Sequence, residues 1–271
     1  MASRFAQLHG QITGSGTRVI VLAHGFGTDQ SAWNGLRPWL DQHFRVVSFD
    51  LAGAGPEGFR TYDRERYGSL FGYVDDLLEI LREQDIQRCI YLGHSVSCMI
   101  GAAAAVAQPD PFERLIMLGG SPRYLNDDPY VGGFEQSDLD GLYDGMAANF
   151  QAWGAGFVPA VVGVPDNEAV DEFCRTLFLM RPDIALATSR TIFQSDMRSL
   201  AARLERPTHI LQTRKDMAVP LAVAQWLERH IEHATLDVID AEGHVPHMTA
   251  AAEVRRALES RLFAPARAEP A

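Results

Sequence analysis

The sequence predicts an α/β fold, a mostly parallel and doubly wound sheet, and three observations carry that prediction. Short apolar runs alternate with helix-like stretches over roughly the first 120 residues. Those runs are dense in Val, Ile and Leu, as strands covered on both faces must be. The alternation then stops between residues 122 and 206, where helical patterns broken by glycine and proline are all that remain. One sheet-and-helix core interrupted by an all-helical insertion accounts for all three.

Val-Ile-Val-Leu-Ala at 19–23 is the first clear strand, followed by a helix near 31–41 and a strand at 45–49. A helix covers 70–83, a buried strand 88–92, and the alanine-rich stretch 97–107 has the small residues of a helix packed hard against a sheet. Residues 116–120 form the next strand. Helices at 137–149, 150–157, 167–179 and 182–194 fill the insertion. The core resumes with a strand at 208–213, a helix beginning at Pro220, where proline suits a first turn, and a last strand at 236–240. The expected division is a core of residues 1–121 and 207–263, a four-helix lid at 122–206 and a disordered tail at 264–271. No internal repeat is visible.

Gly93-His94-Ser95-Val96-Ser97 joins the 88–92 strand to the 97–107 helix. A turn this tight strains its central residue and crowds the positions two residues either side, so small side chains are required there. Gly93 and Ser97 supply them, and Ser95 stands where an α/β-hydrolase places its nucleophile. The remaining partners follow in the chain order serine, acid, histidine that this fold uses. Asp216 lies just past the 208–213 strand, and His244 just past the last strand, so all three meet at the carboxyl edge of a parallel sheet. His244 is expected to take the serine proton and return it to the leaving group, with Asp216 fixing its tautomer. The oxyanion hole is expected from the backbone N–H of Val96 and from that of Phe26, in the His24-Gly25-Phe26-Gly27 loop after the first strand.

Other residues compete for these roles. His247 is the rival base, and the pair His244 and His247 suggests a metal, but no carboxylate or cysteine cluster stands beside it, so no metal is expected. His24 is better explained by its glycine loop and His94 by packing beside the nucleophile. Asp196, Asp237 and Asp240 are alternative acids by residue type, and Asp216 is favoured because it alone has a strand, a turn and a helix start around it. Cys98, one helical turn past Ser95, reads as a small core residue.

Composition narrows the function classes. The 271 residues are 46% hydrophobic, enough for one large core plus an insertion. A net charge of −11 argues against nucleic acid, an anionic membrane surface or a strongly anionic substrate. No run has the length of a membrane span or the pattern of a signal peptide, and three cysteines without motif spacing fit free thiols, so a cytoplasmic protein is expected.

A more specific likeness runs along nearly the whole chain. His24-Gly-Phe-Gly-Thr-Asp-Gln-Ser-Ala-Trp33, Gly93-His-Ser-Val-Ser97, Ser121-Pro-Arg-Tyr124, Gly132-Gly-Phe-Glu-Gln136, Arg181-Pro-Asp183, the segment from Ile192 to Arg198 and Lys215-Asp-Met-Ala-Val-Pro220 resemble the RsbQ family. That family also holds the plant karrikin and strigolactone receptors, and Ser97 in place of glycine is its usual form. The resemblance implies an α/β-hydrolase core with a V-shaped four-helix lid inserted after the sixth core strand, a triad at Ser95, Asp216 and His244, and an oxyanion hole at Phe26 and Val96. It also implies an apolar pocket walled by Phe26, Phe134, Leu142, Phe157, Phe178, Phe193 and Ala218, and no cofactor. Two functions are then expected of the same pocket. One is hydrolysis of small, neutral, apolar esters or butenolide-like lactones. The other is ligand sensing, in which the lid reports to a partner such as the PAS-domain phosphatase with which RsbQ acts. A third reading, dehalogenase or haloperoxidase, is weaker, since dehalogenation needs a carboxylate where Ser95 stands.

Overall fold

The computed structural model describes residues 2–263, so the expected disordered tail at 264–271 lies outside the described residues. In chain order the first half runs α1 (Arg4–Gln7), β1 (Gln11–Thr13), β2 (Val19–Ala23), α2 (Arg37–His43), β3 (Arg45–Phe49), α3 (Phe71–Glu83), β4 (Cys89–His94), α4 (Val96–Ala107) and β5 (Phe112–Leu118). Four helices follow without a strand: α5 (Gln136–Ala148), α6 (Phe150–Val162), α7 (Asn167–Leu179) and α8 (Pro182–Phe193). The chain closes with α9 (Arg198–Ala201), β6 (Thr208–Lys215), α10 (Leu221–His230), β7 (Ala234–Glu242), α11 (Pro246–Thr249) and α12 (Ala251–Leu262).

The seven strands form one sheet in the order β1-β3-β2-β4-β5-β6-β7. Only β1 is antiparallel, pairing Ile12 with Val47 of β3; every other pair is parallel. The insertion follows the fifth strand rather than the sixth. The reason is local: residues before Gln11 turn into α1, capped by the Ser3 side chain on the Ala6 N–H, so a single short strand precedes β2.

Strand alternation divides the core into two layers. Val21, Tyr91, Met117 and Ile210 face one side, where α3, α4 and α10 bring Ile80, Ala103 and Leu227. Ile20, Ile90, Leu92, Ile116 and Leu211 face the other, against Trp39 and Leu40 of α2 and Val254 and Leu258 of α12. The insertion has its own apolar cluster, with Phe150, Val158, Phe173, Leu177 and Ile184 at its centre, and Val245 from the core joins it. Its two stems are zipped together at the base. Arg123 bridges Asp196 in an antiparallel pair, their side chains lie 3.1 Å apart, and Met197 N–H donates to the Pro122 carbonyl at 2.7 Å.

The sequence-derived boundaries shift in physically sensible ways. The 31–41 helix divides into a short 3-10 turn, Gln30–Trp33, and α2, which starts at Arg37 with Pro38 in its first turn, the helix position proline favours. The 150–157 helix continues to Val162 and carries Pro159 inside it, ending at Gly163 in the left-handed conformation.

Candidate active site

Ser95 is the single residue between β4 and α4, with φ 55° and ψ −123°. Non-glycine residues rarely adopt this backbone, and neighbouring contacts hold it there. The Ser95 N–H donates to the Leu118 carbonyl of β5 at 2.9 Å, and the Ser97 hydroxyl donates to the His24 carbonyl at 2.5 Å. A Cβ at Gly93 would lie 2.7 Å from the Ser97 carbonyl oxygen, so any larger residue would push the elbow open.

The three predicted residues converge. His244 Nε2 lies 2.9 Å from Ser95 Oγ, and His244 Nδ1 lies 2.7 Å from Asp216 Oδ2. The side chains of His244 and Asp216 are almost wholly buried. Asp216 Oδ1 accepts the N–H groups of Ala218 and Val219 at 2.8 and 3.0 Å, and Gln212 Nε2 donates to Oδ2 at 3.2 Å. Burial alone would raise the Asp216 carboxyl, but His244 and these backbone donors outweigh it and hold the group below the usual carboxylate range. Asp216 is thus an anion, which fixes the His244 proton on Nδ1 and leaves Nε2 free to accept from Ser95.

The rivals are engaged elsewhere. Asp237 makes two contacts to Arg261 at 2.7 and 2.6 Å, Asp240 pairs with Arg214, and Asp196 pairs with Arg198 and Arg123. His247 is fully buried against Trp33, ring centroids 4.6 Å apart, and neither of its nitrogens has a partner. The Cys98 thiol is buried, donates to the Gly93 carbonyl at 3.1 Å, and is pushed up by burial, which makes it a poor nucleophile. Among the described residues no cluster of His, Cys, Asp and Glu could hold a metal ion.

The glycine loop closes over the serine. His24 accepts the Leu51 N–H on Nε2 at 2.9 Å, so its proton sits on Nδ1, where it donates to the Gly25 carbonyl at 2.8 Å. Thr28 Oγ1 donates to the same carbonyl at 3.1 Å. A Cβ on Gly25 would lie 3.1 Å from Ser95 Cβ, so the loop rests directly on the elbow. Among the described residues no hydrogen bond occupies the N–H of Phe26 or of Val96.

The predicted pocket walls are spread over two clusters. Phe193 and Ala218 are buried in the core-side cluster, with Phe134 packed against it 5.9 Å from Phe193. Phe157 and Phe178 belong to the insertion cluster, stacked on Trp153 at 4.5 Å and edge-on to Phe150 at 6.0 Å. Phe26 and Leu142 touch both clusters. A small cavity of about 20 Å³, room for one water-sized group, lies beneath the glycine loop, and of the seven predicted wall residues Phe26 alone lines it. Val96, Ile100, Met180, Thr188 and Ile192 complete much of its wall.

Sequence reasoning missed three contributors. Gln212 orients Asp216, and a polar residue inside the apolar β6 run was the available signal. The Val161 carbonyl in α6 accepts the His244 N–H at 2.9 Å, a contact no local pattern announces. His94 also does more than fill space: its Nε2 reaches the His244 carbonyl at 2.8 Å.

Residues 20–257 match the profile of the "Alpha/beta hydrolase family". The chain is 49% identical to "Karrikin insensitive 2 receptor CA" of Petunia hybrida over 88% of this chain and 89% of that one. It is 46% identical to "Strigolactone esterase D14" of Arabidopsis thaliana, covering 94% and 96%. Among solved structures, a hydrolase from Oleispira antarctica superimposes with a TM-score of 0.93 at 34% identity, covering 97% of each chain.

The buried histidines set an acid limit on stability. Burial first, then the nearby His244 and His24, lowers His247 from 6.5 to about 3. As pH falls below 6.5 the unfolded chain therefore takes up this proton while the folded chain does not, and stability declines until about pH 3. Between about pH 7.5 and 5 this one ring should withdraw about 2 kcal/mol. Urea unfolding of wild type and His247→Phe at both pH values tests it: the variant should lose about 2 kcal/mol less, and equal losses would contradict the argument.

Proposed function

The chain belongs to the alpha/beta hydrolase family, and from that premise we propose that it hydrolyses small, neutral, apolar esters or butenolide-like lactones through an acyl-serine intermediate. The continuous hydrogen-bonded line from Ser95 through His244 to Asp216, on a strained elbow, is the observation that carries this reading. Ser95 Oγ attacks the carbonyl carbon as its proton passes to His244 Nε2. The Phe26 and Val96 N–H groups stabilise the developing oxyanion, an arrangement typically worth about 3 kcal/mol per donor. His244 returns the proton to the leaving oxygen as the carbon–oxygen bond breaks. A water, deprotonated by the same ring, then releases the acid and restores Ser95.

Three unpaired cysteines and the absence, among the described residues, of any helix long and apolar enough to cross a membrane support a cytoplasmic enzyme. Ser95→Ala should abolish hydrolysis of a p-nitrophenyl acetate analogue, with losses of at least about 10³-fold, and His244→Ala should behave alike. His247→Ala should retain activity. Substantial activity in His244→Ala, with loss in His247→Ala, would reverse the assignment.

Substrate charge is set by the walls. Apolar surfaces bury ligand area at about 25 cal/mol per Å², whereas a carboxylate entering the cavity walled by Phe26, Val96, Ile100, Met180 and Ile192 meets no lysine or arginine and must shed its hydration. Matched neutral and acidic esters should therefore differ at least about tenfold in kcat/KM, and equal values would overturn the substrate class.

A second reading is favoured by one contact. The His244 N–H donates to the Val161 carbonyl of the insertion, so the insertion, acting as a lid, touches the base directly. In this reading a filled pocket favours one lid arrangement, which a partner such as a PAS-domain phosphatase recognises, and by linkage that partner raises ligand affinity by the same factor. Hydrogen exchange over residues 122–206, with and without a serine-trapping reagent, should show altered protection in α6. Unchanged protection throughout would leave plain hydrolysis as the function.

A further inference from the structure

Strand alternation places the His94 side chain on the same face of β4 as Ile90 and Leu92, in the layer otherwise filled by Ile20, Leu22 and Trp33. A histidine is out of character there. It is buried, its ring centroid lies 4.3 Å from His247 and 4.9 Å from His244, and it makes one hydrogen bond, Nε2 to the His244 main-chain carbonyl at 2.8 Å. A carbonyl can only accept, so Nε2 carries the proton and Nδ1 has a bare lone pair without a partner. That Nδ1 lies directly under Gly25, where an added Cβ would approach to 2.6 Å. The ring therefore touches the residue before Phe26, adjoins Ser95 in sequence, and bonds the backbone of His244. Burial, together with His247 and His244, holds it well below the ordinary histidine range, so it stays neutral while His244 carries its transient proton.

We propose that His94 is a positioning residue for the reaction: its Nε2–H fixes the His244 main chain at the distance Ser95 requires, and its ring sets the height of the oxyanion loop. The inference rests on the hydrolase reading of this site. An apolar residue at 94 would suit the layer as well or better, so packing does not explain the histidine. The need for a donor at that one point does.

The experiment compares His94→Gln, whose side-chain amide can present an N–H at similar reach, with His94→Leu, which keeps volume but no donor. Titration with a serine-trapping fluorophosphonate counts folded sites, so kcat is taken per titrated site with a p-nitrophenyl ester. The downfield Nδ1 proton resonance of His244 is followed in parallel. His94→Leu should lower kcat about 10- to 100-fold with KM changed less than about twofold and should move or broaden that resonance; His94→Gln should keep kcat within about fivefold. Wild-type kcat in His94→Leu would overturn the proposal. So would equal losses in both variants, a change confined to KM, or failure of His94→Gln to yield titratable sites, each of which assigns the ring to packing. A wild-type protein that does not titrate at all would instead refute the hydrolase reading, so the two failures are distinguishable.

Discussion

The backbone of Ser95 is the constraint on which the rest depends. A non-glycine residue at φ 55°, ψ −123° costs about 1–3 kcal/mol, and it persists only where surrounding structure over-determines it. Here β4 lies in the middle of the sheet, between β2 and β5, and every one of its residues is buried. The Ser95 N–H is tied to β5 and the Ser97 hydroxyl to the end of β2, so the elbow is fixed from both neighbouring strands. The strained turn lifts the hydroxyl off the sheet edge, and every other group at the site is arranged around that one raised oxygen.

Four histidines near Ser95 show how environment gives one residue type different tasks. His24 donates from Nδ1 and staples the glycine loop; His94 donates from Nε2 to a backbone carbonyl. His244 has a buried carboxylate on one side and the serine on the other, and that pairing equips it to move a proton. His247 has no hydrogen-bond partner and packs on Trp33, which leaves it a neutral core ring. Burying such a ring unsatisfied costs about 1–3 kcal/mol. The expense is tolerable only because the layer around it is otherwise well filled with apolar side chains.

What could be read from the sequence was whatever depends on neighbours along the chain. Gly93 and Ser97 announce the elbow because the crowding they relieve is local, and Asp216 was separable from Asp237 and Asp240 because loop position after a strand is a local property. The β-strands were legible from apolar density, although β1 was not, since Gln11, Ile12 and Thr13 carry too little apolar surface to signal an edge strand. The contacts that hold His244 are different in kind. His94 to His244 spans 150 positions, and the Val161 carbonyl contributes through its backbone, so residue identity there says nothing about its role. The zipping of the insertion's stems at Arg123 and Asp196 was not readable, because neither residue is unusual until the two are brought together.

The two backbone bonds of His244 point in opposite directions, and that has a physical consequence. Its carbonyl is held by the core through His94, and its N–H is held by the insertion through Val161. The base is therefore seated at a seam, and its position is the joint product of two separately packed apolar clusters. Local opening of a helical insertion requires far less free energy than opening of a central sheet. Small displacements of α6 would consequently reach the His244 ring before they disturb Ser95, and in general a displacement on the order of 1 Å in a reacting group can cost about 10²-fold in rate. Ser95 is thus anchored in the central layer of the sheet, and His244 partly in the more yielding insertion.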